Sequence, residues 1–264
     1  MILLFDIGNT HTHVGLADEH RVRTHRDVPT REWTHGGAEA LVRQFVGRAQ
    51  VDGISICSVV PRCNRKVVSV VRKNWKVVPY WLTAASIQGV GIRYPKPETI
   101  GPDRLSNALA VRMLYGAPSL VVDFGTAVTF DVVNRAGEYI GGIIAPGLAA
   151  MTDYLHEKTA LLPKIRIRDV RAIVGKNTEQ AMLIGAVHGY RGLVKELIAE
   201  LKRDLGTRSL PVVATGGYAA LMARGVREIS AVNSLLTLEG LRLAWLLARG
   251  EGAIVSPNRH SRPA

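Results

Sequence analysis

Two stretches decide how this chain is read: Leu3-Leu-Phe-Asp6-Ile-Gly8-Asn-Thr10-His-Thr12-His-Val14 and Leu120-Val-Val-Asp123-Phe-Gly125-Thr126-Ala-Val-Thr129-Phe-Asp131-Val-Val133. Each is an apolar strand that runs into Asp-x-Gly, passes a nearby threonine and returns as a β-rich strand. The two aspartates stand 117 positions apart (123 − 6), close to half of the 264 residues. Asp-x-Gly alone is a common turn, but matching flanks on both sides make an internal duplication the better reading. The chain is therefore expected to hold two similar α/β halves, residues 1–116 and 117–249, with a boundary near Gly116.

Working outward, Gly53 to Val60 reads as a strand ended by Pro61, and Ala38 to Arg48 carries helical spacing at Leu41, Phe45 and Val46. Gly101-Pro102 opens a segment that closes at Gly116. Proline at the first helical position and glycine past the last predict a helix that carries Asp103 and Arg104 in its first turn. In the second half, Gly141-Gly-Ile-Ile-Ala-Pro-Gly147 reads as a glycine-rich turn. Gln180 to Leu201 reads as a helix whose Gly185, Gly189 and Gly192 would admit a close neighbour. Pro211 to Gly217 reads as a buried strand ending in a glycine turn, and Leu235 to Leu247 as an apolar helix with three readings open: core, dimer interface or cover for the first half. The tail, 250–264, reads as disordered.

Composition bounds the function. Apolar residues make up 47% and charged residues 21%, which excludes a disordered or collagen-like chain. Lys and Arg total 34 against 22 acidic residues, a net charge of +12 that suits an anionic partner without choosing among nucleic acid, membrane surface and phosphorylated small molecule. Two cysteines, Cys57 and Cys63, exclude a disulfide framework and have no companions at zinc-ligand spacing. They read as reduced thiols of a cytoplasmic protein, one in a buried strand and one in a loop. No run approaches the ~18 apolar residues of a membrane span, and Met1 to Phe5 reads as a first strand rather than a leader.

Paired Asp-x-Gly turns suit a metal–phosphate site. Glycine lets backbone N–H groups approach phosphate oxygens, aspartates hold a cation directly or through water, and Thr10, Thr126 and Thr129 add hydroxyls. Neither a P-loop nor a Gly-x-Gly-x-x-Gly occurs. His11 and His13 lack a third ligand and read as strand residues near the nucleotide. The basic stretches 20–31 and 164–168 read first as solvated faces and second as a surface for an acidic ligand.

Five motifs in order carry a resemblance: Asp6-Ile-Gly-Asn-Thr10, Tyr94-Pro-Lys-Pro97 leading to Gly101-Pro-Asp-Arg104, Asp123-Phe-Gly-Thr-Ala127, Gly141-Gly-Ile-Ile-Ala-Pro-Gly147 and Asn177-Thr178-Glu179. Together they resemble the type III pantothenate kinases, within the superfamily of acetate and sugar kinases and actin. The resemblance spans residues 1 to about 247, and the Tyr-x-x-Pro and Gly-x-Asp-Arg pair is its specific part. Pro102 replaces a common alanine and Lys96 a usual asparagine. The resemblance implies two ribonuclease H-like (actin-like ATPase) domains with a cleft between them, and ATP-dependent phosphorylation of pantothenate in the first step of coenzyme A synthesis. It further implies ATP phosphates held by Asp6, Ile7, Gly8, Asn9, Thr10, His11, Thr12 and His13, with Asp6 near Mg²⁺ through water and Thr126 on the nucleotide. Asp123 would bind a monovalent cation, K⁺ or NH₄⁺. Asp103 would be the general base, with Tyr94, Gly101, Pro102 and Arg104 lining the pantothenate site and Thr178 reaching pantothenate from the other subunit of a homodimer.

On physical grounds, a helix first turn and the adjacent Arg104 are both expected to stabilise ionised Asp103, making it a weak base. Arg104 supplies a planar fork for the pantothenate carboxylate. Two other readings compete: a transcriptional accessory protein without kinase activity, for which no helix-turn-helix, zinc finger or aromatic–basic platform is found, and a superfamily kinase with another acceptor such as a sugar.

Overall fold

The computed structural model describes residues 1–250; the tail expected to be disordered lies, from 251 on, outside the described residues. In chain order the strands are β1 (Ile2–Ile7), β2 (His11–Ala17), β3 (Val22–Pro29), β4 (Gly53–Ser58), β5 (Tyr80–Trp81), β6 (Gly91–Ile92), β7 (Ser119–Phe124), β8 (Ala127–Val133), β9 (Glu138–Pro146), β10 (Val212–Thr215) and β11 (Ala231–Val232). The helices are α1 (Glu32–His35), α2 (Ala38–Val46), α3 (Pro61–Trp75), α4 (Pro102–Tyr115), α5 (Leu148–Lys158), α6 (Thr178–Ile184), α7 (Tyr190–Asp204), α8 (Ala219–Ala223) and α9 (Leu236–Ala248). They form two compact units. The first comprises residues 1–117, 135–141 and the described residues from 235; the second comprises 118–134 and 142–234.

In the first unit the sheet runs β3-β2-β1-β4-β5. β1 pairs antiparallel with β2 and parallel with β4, and β2 pairs antiparallel with β3. Ile2 to Phe5 is an unbroken apolar run because both faces of β1 are covered. Leu3, Phe5 and Ile7 point into a core with Trp33, Val42, Val67 and Val71 of α1, α2 and α3. The alternate face lies under α4 and α9, which pack on each other and on β1 and β4. Leu4 and Asp6 belong to that second face, by the period of two. α9 approaches α4 so closely that a Cβ on Gly240 would stand 2.1 Å from the Ser106 carbonyl oxygen. The buried Arg242 of α9 donates to Glu239 Oε2 at 2.6 Å and to the Glu19 carbonyl at 2.6 Å, while Glu239 Oε1 accepts the Val22 N–H at 2.8 Å. These bonds tie α9 to the β2–β3 hairpin.

The second sheet runs β11-β10-β7-β8-β9, with the short β6 added parallel to the start of β9 as a sixth strand. With β7 taken as first, this is the same order as β3-β2-β1-β4-β5, with the same antiparallel β7–β8 and parallel β7–β10 pairings. Both sheets have the ribonuclease H-like arrangement, so the repeated Asp-x-Gly motif marks a repeated topology. The two first hairpins differ by one residue: four residues separate the paired Ile7 and Thr12, but three separate Phe124 and Val128.

Several local readings are corrected. The 141–147 segment is not a turn; residues 138–146 form β9, because five β-branched, aromatic or apolar residues outweigh two glycines there. Pro61 does not merely end a strand but opens α3 at its first turn, placing Cys63 in the buried face of a helix rather than in a loop. The buried stripe of α2 is Ala38, Val42 and Val46, with Leu41 and Phe45 beside it. The helix predicted from 180 starts at Thr178 and is interrupted by a π-turn at Gly185–Gly189, where side-chain-free positions loosen the ladder. An added Cβ on Gly185, Gly189 or Gly192 would meet nothing within 4 Å, so the close neighbour expected there is absent among the described residues. The 20–31 stretch is largely β3, an edge strand whose Arg23, Thr24, His25 and Arg26 are exposed; charges there discourage edge pairing. No helix among the described residues is long and apolar enough to cross a membrane.

Candidate functional site

In the first unit, the β1–β2 turn exposes Asn9, Thr10 and His11. The Gly8 N–H donates to the His11 carbonyl at 3.0 Å, closing the turn. Asp6 at the end of β1 is paired across the sheet with His13 and Cys57. The Cys57 thiol donates to Asp6 Oδ1 at 3.3 Å. Burial pushes the Asp6 carboxyl up to about 6; His13 offsets part of that rise, and the negative charge of Asp103 adds to it. His13 Nδ1 lies 2.6 Å from Asp27 Oδ1, which holds the imidazole beside the turn. Burial likewise pushes the Cys57 thiol well above its ordinary range, with the charges of Asp6 and Asp103 contributing.

Asp103 enters from the first turn of α4. Its Oδ1 accepts the Arg104 N–H at 2.9 Å. Its pKa is raised, because burial outweighs that hydrogen bond and the Arg104 charge. This corrects the expectation of a depressed, weak base. Local helix and neighbour effects were read correctly in sign, but desolvation under the tertiary fold is larger. Asp6 and Asp103 are thus two shielded carboxylates of the first unit, and the negative charge of Asp103 disfavours ionisation of Asp6.

The remaining first-unit residues form an aromatic and cationic cluster. Tyr94 is exposed, and its ring lies 6.2 Å from that of Tyr139. Arg104 Cζ lies 5.8 Å from the Tyr139 ring centroid, over its face. Gly101 and Pro102 form the N-terminal edge of α4 beside Asp103. Tyr139, buried at the start of β9, was missed by sequence reasoning, since nothing at position 139 signals a contact with a residue 35 positions earlier. Two strand residues that flank the turn keep their side chains inside. The side chains of Ile7 and Thr12 are fully buried and face each other as a strand pair, and the Thr12 hydroxyl is engaged inside the unit. Neither side chain has surface with which to touch a nucleotide.

In the second unit, Asp123 is the penultimate residue of β7, with Thr129 opposite it on β8 and Thr215 on β10. Gly216 lies against it: a Cβ there would stand 2.5 Å from Asp123 Oδ1 and 2.7 Å from the Phe124 carbonyl oxygen, at φ +86°. Only glycine fits. Thr126 is exposed, and its carbonyl accepts the Gly147 N–H at 3.1 Å. Thr178 is exposed at the start of α6, whose N-cap Asn177 Oδ1 accepts the Gln180 N–H at 2.8 Å.

Oxygen donors suit hard cations. Mg²⁺ typically uses one or two carboxylates together with water and phosphate, which fits the shielded Asp6, and no cluster of three or more His, Cys, Asp or Glu suited to a metal occurs among the described residues. The Asp123 carboxylate and the Phe124 carbonyl both face Gly216, so two oxygen donors stand close together there.

Residues 2–200 match the family model described as type III pantothenate kinase. A protein of that name from Akkermansia muciniphila is 49% identical over 244 residues, covering 92% of this chain and 97% of its own. One from Methylacidiphilum infernorum is 40% identical over 243 residues, covering 92% and 87%. Among solved structures, a Campylobacter jejuni protein assigned to the Baf family of transcriptional activators superposes with a TM-score of 0.60 at 18% identity, covering 94% of this chain and 98% of that one. A Listeria monocytogenes protein assigned as an N-acetylmannosamine kinase superposes with a TM-score of 0.53 at 12% identity, covering 94% and 99%. At such identities these two establish the fold alone.

Proposed function

The chain belongs to the type III pantothenate kinase family, and on that premise we propose how its residues divide the work. The reaction is the family's: ATP phosphorylates pantothenate, on the path to coenzyme A. The names of the relatives do not favour the regulatory alternative.

The pantothenate hydroxyl oxygen forms a bond to the γ-phosphorus of ATP as the bond to the β,γ-bridging oxygen breaks, and ADP leaves with that electron pair. Asp103 takes the hydroxyl proton. The observation that carries this assignment is the shielding of Asp103 beside Asp6, which raises its basicity above that of a free carboxylate. Phosphoryl transfer asks mainly for positioning and charge neutralisation. The Gly8–His11 turn would take the phosphates on its backbone N–H groups, with Thr126 adding a contact. Arg104, its guanidinium laid over Tyr139, would pair with the pantothenate carboxylate, and exposed Tyr94 would border the same ligand. Asp6 would hold Mg²⁺ through water, and Asp123 would hold K⁺ or NH₄⁺. Bound there, the cations would neutralise phosphate charge. Thr178 would serve the partner subunit of a homodimer, and a cytoplasmic location agrees with the reduced cysteines.

The test is coupled ADP release with pantothenate as acceptor, run on the wild type and on Asp103→Asn. We expect turnover to fall at least about a hundredfold while ATP affinity stays within a factor of two. Full turnover in the variant refutes the base assignment.

A further inference from the structure

Beneath the phosphate turn lies a chain of three hydrogen bonds that no part of the scheme above uses. Trp33 Nε1 donates to Thr12 Oγ1 at 3.0 Å. Thr12 Oγ1 and Thr30 Oγ1 are 3.1 Å apart. Thr30 Oγ1 donates to the Gly8 carbonyl at 2.7 Å. Indole is only a donor and a carbonyl only an acceptor, and each hydroxyl has one proton. The direction is therefore fixed: Trp33 to Thr12, Thr12 to Thr30, Thr30 to Gly8. All three side chains are buried, Thr12 at 0%, Thr30 at 1% and Trp33 at 2% exposure, so water does not reach the Trp33–Thr12 and Thr12–Thr30 bonds. The Trp33 ring is seated edge-on against Phe5, with centroids 6.1 Å apart.

Thr30 acts on the turn twice. Its hydroxyl holds the Gly8 carbonyl, and its N–H holds the Thr10 carbonyl at 3.0 Å. A trans peptide is planar, with C=O and N–H pointing opposite ways. Drawing the Gly8 carbonyl inward therefore turns the Asn9 N–H outward, on the exposed side of the turn.

We propose that Thr30 is a positioning residue for the nucleotide phosphates, keyed by the Trp33–Thr12 relay, and that it sets the outward aim of the Asn9 amide. The inference rests on the reading that the Gly8–His11 turn holds ATP phosphates. Thr30 touches no substrate; it acts by forbidding rotation of one peptide plane. The relay comes from the end of β3 and from α1, so the rigidity of a turn in residues 8–11 is set about 20 positions later.

The experiment measures KM for ATP and for pantothenate, and Kd for a non-hydrolysable ATP analogue, in the wild type, Thr30→Val, Thr30→Ser and Trp33→Phe. Thr30→Val keeps the shape and deletes the hydroxyl. It is expected to raise the ATP KM and the analogue Kd about five- to tenfold, one buried hydrogen bond's worth, and to leave the pantothenate KM unchanged. Thr30→Ser restores both to within about twofold. Trp33→Phe keeps the ring against Phe5 and loses the donor, and is expected to give a two- to threefold rise. Should Thr30→Val not fold, Trp33→Phe decides. An unchanged nucleotide affinity, an equal rise in both substrates' KM, or equal losses for Val and Ser overturn the proposal. Wild-type protein that binds the analogue yet phosphorylates no pantothenate would instead defeat the functional reading, and the analogue Kd series would still judge Thr30.

Discussion

Replacing Asp6 with asparagine should make the protein more stable while disabling it. Burial and the neighbouring Asp103 raise the Asp6 carboxyl from its ordinary value near 3.8 to about 6. A group that binds its proton more tightly in the folded state contributes stability at acid pH and loses it as the pH climbs from 3.8 through 6. Above pH 6 the folded protein holds an ionised, shielded carboxylate at a cost of up to ~3 kcal/mol, the equivalent of that rise at 1.36 kcal/mol per pH unit. Asparagine is isosteric, carries no charge and still offers an oxygen to the Cys57 thiol. In metal-free buffer at pH 7.5, Asp6→Asn should melt higher than the wild type, by roughly 6–12 °C if the full cost is relieved. The gain should shrink below pH 5 and vanish near pH 3.5, where Asp6 is protonated in both states. The measurement is thermal unfolding followed by circular dichroism across that pH range, alongside the coupled activity assay. A variant that melts no higher than the wild type at pH 7.5, or a gain that does not depend on pH, refutes the account of Asp6 as a strained, shielded carboxylate.

Two further outcomes are expected. Arg104→Lys removes the planar fork and its seat over Tyr139, and should raise the pantothenate KM about tenfold or more with the ATP KM unchanged; steady-state kinetics with each substrate varied would check it. Gly216→Ala places a methyl against the Phe124 carbonyl at positive φ, and should lower stability by about 2 kcal/mol, read as a shift in the urea midpoint; an unshifted midpoint would show that the β10 turn can relax.

Much of the architecture was legible because it is written locally and twice. The flanks of Asp6 and Asp123 declared the repeat, and the two sheets follow the same strand order. Pro102 and Gly116 bracketed α4 to the residue at its start. What escaped depends on contacts distant in sequence. Tyr139 joins Arg104 and Tyr94 through the fold, and Thr30 and Trp33 reach back beneath the Gly8 turn. The sign of the Asp103 perturbation escaped for the same reason. Its helix position and its arginine neighbour are visible in the sequence, whereas its desolvation is a property of everything packed around it. At Gly141 and Gly142, two glycines suggested a turn where the surrounding apolar residues make a strand.

The tie between α9 and the first unit bears on how the protein emerges from the ribosome. Residues 118–234 are complete and free to fold before Gly240 can reach Ser106 or Arg242 can reach Glu19. The units are thus completed in the reverse of the usual vectorial order, N-terminal unit first. The half that carries Asp6 and Asp103 has α4 but lacks the α9 part of the layer over its sheet until the last described helix is synthesised. A nascent chain stalled or truncated before residue 235 would present the apolar surface that α9 covers to chaperones and proteases, although every residue assigned to the chemistry had already been made.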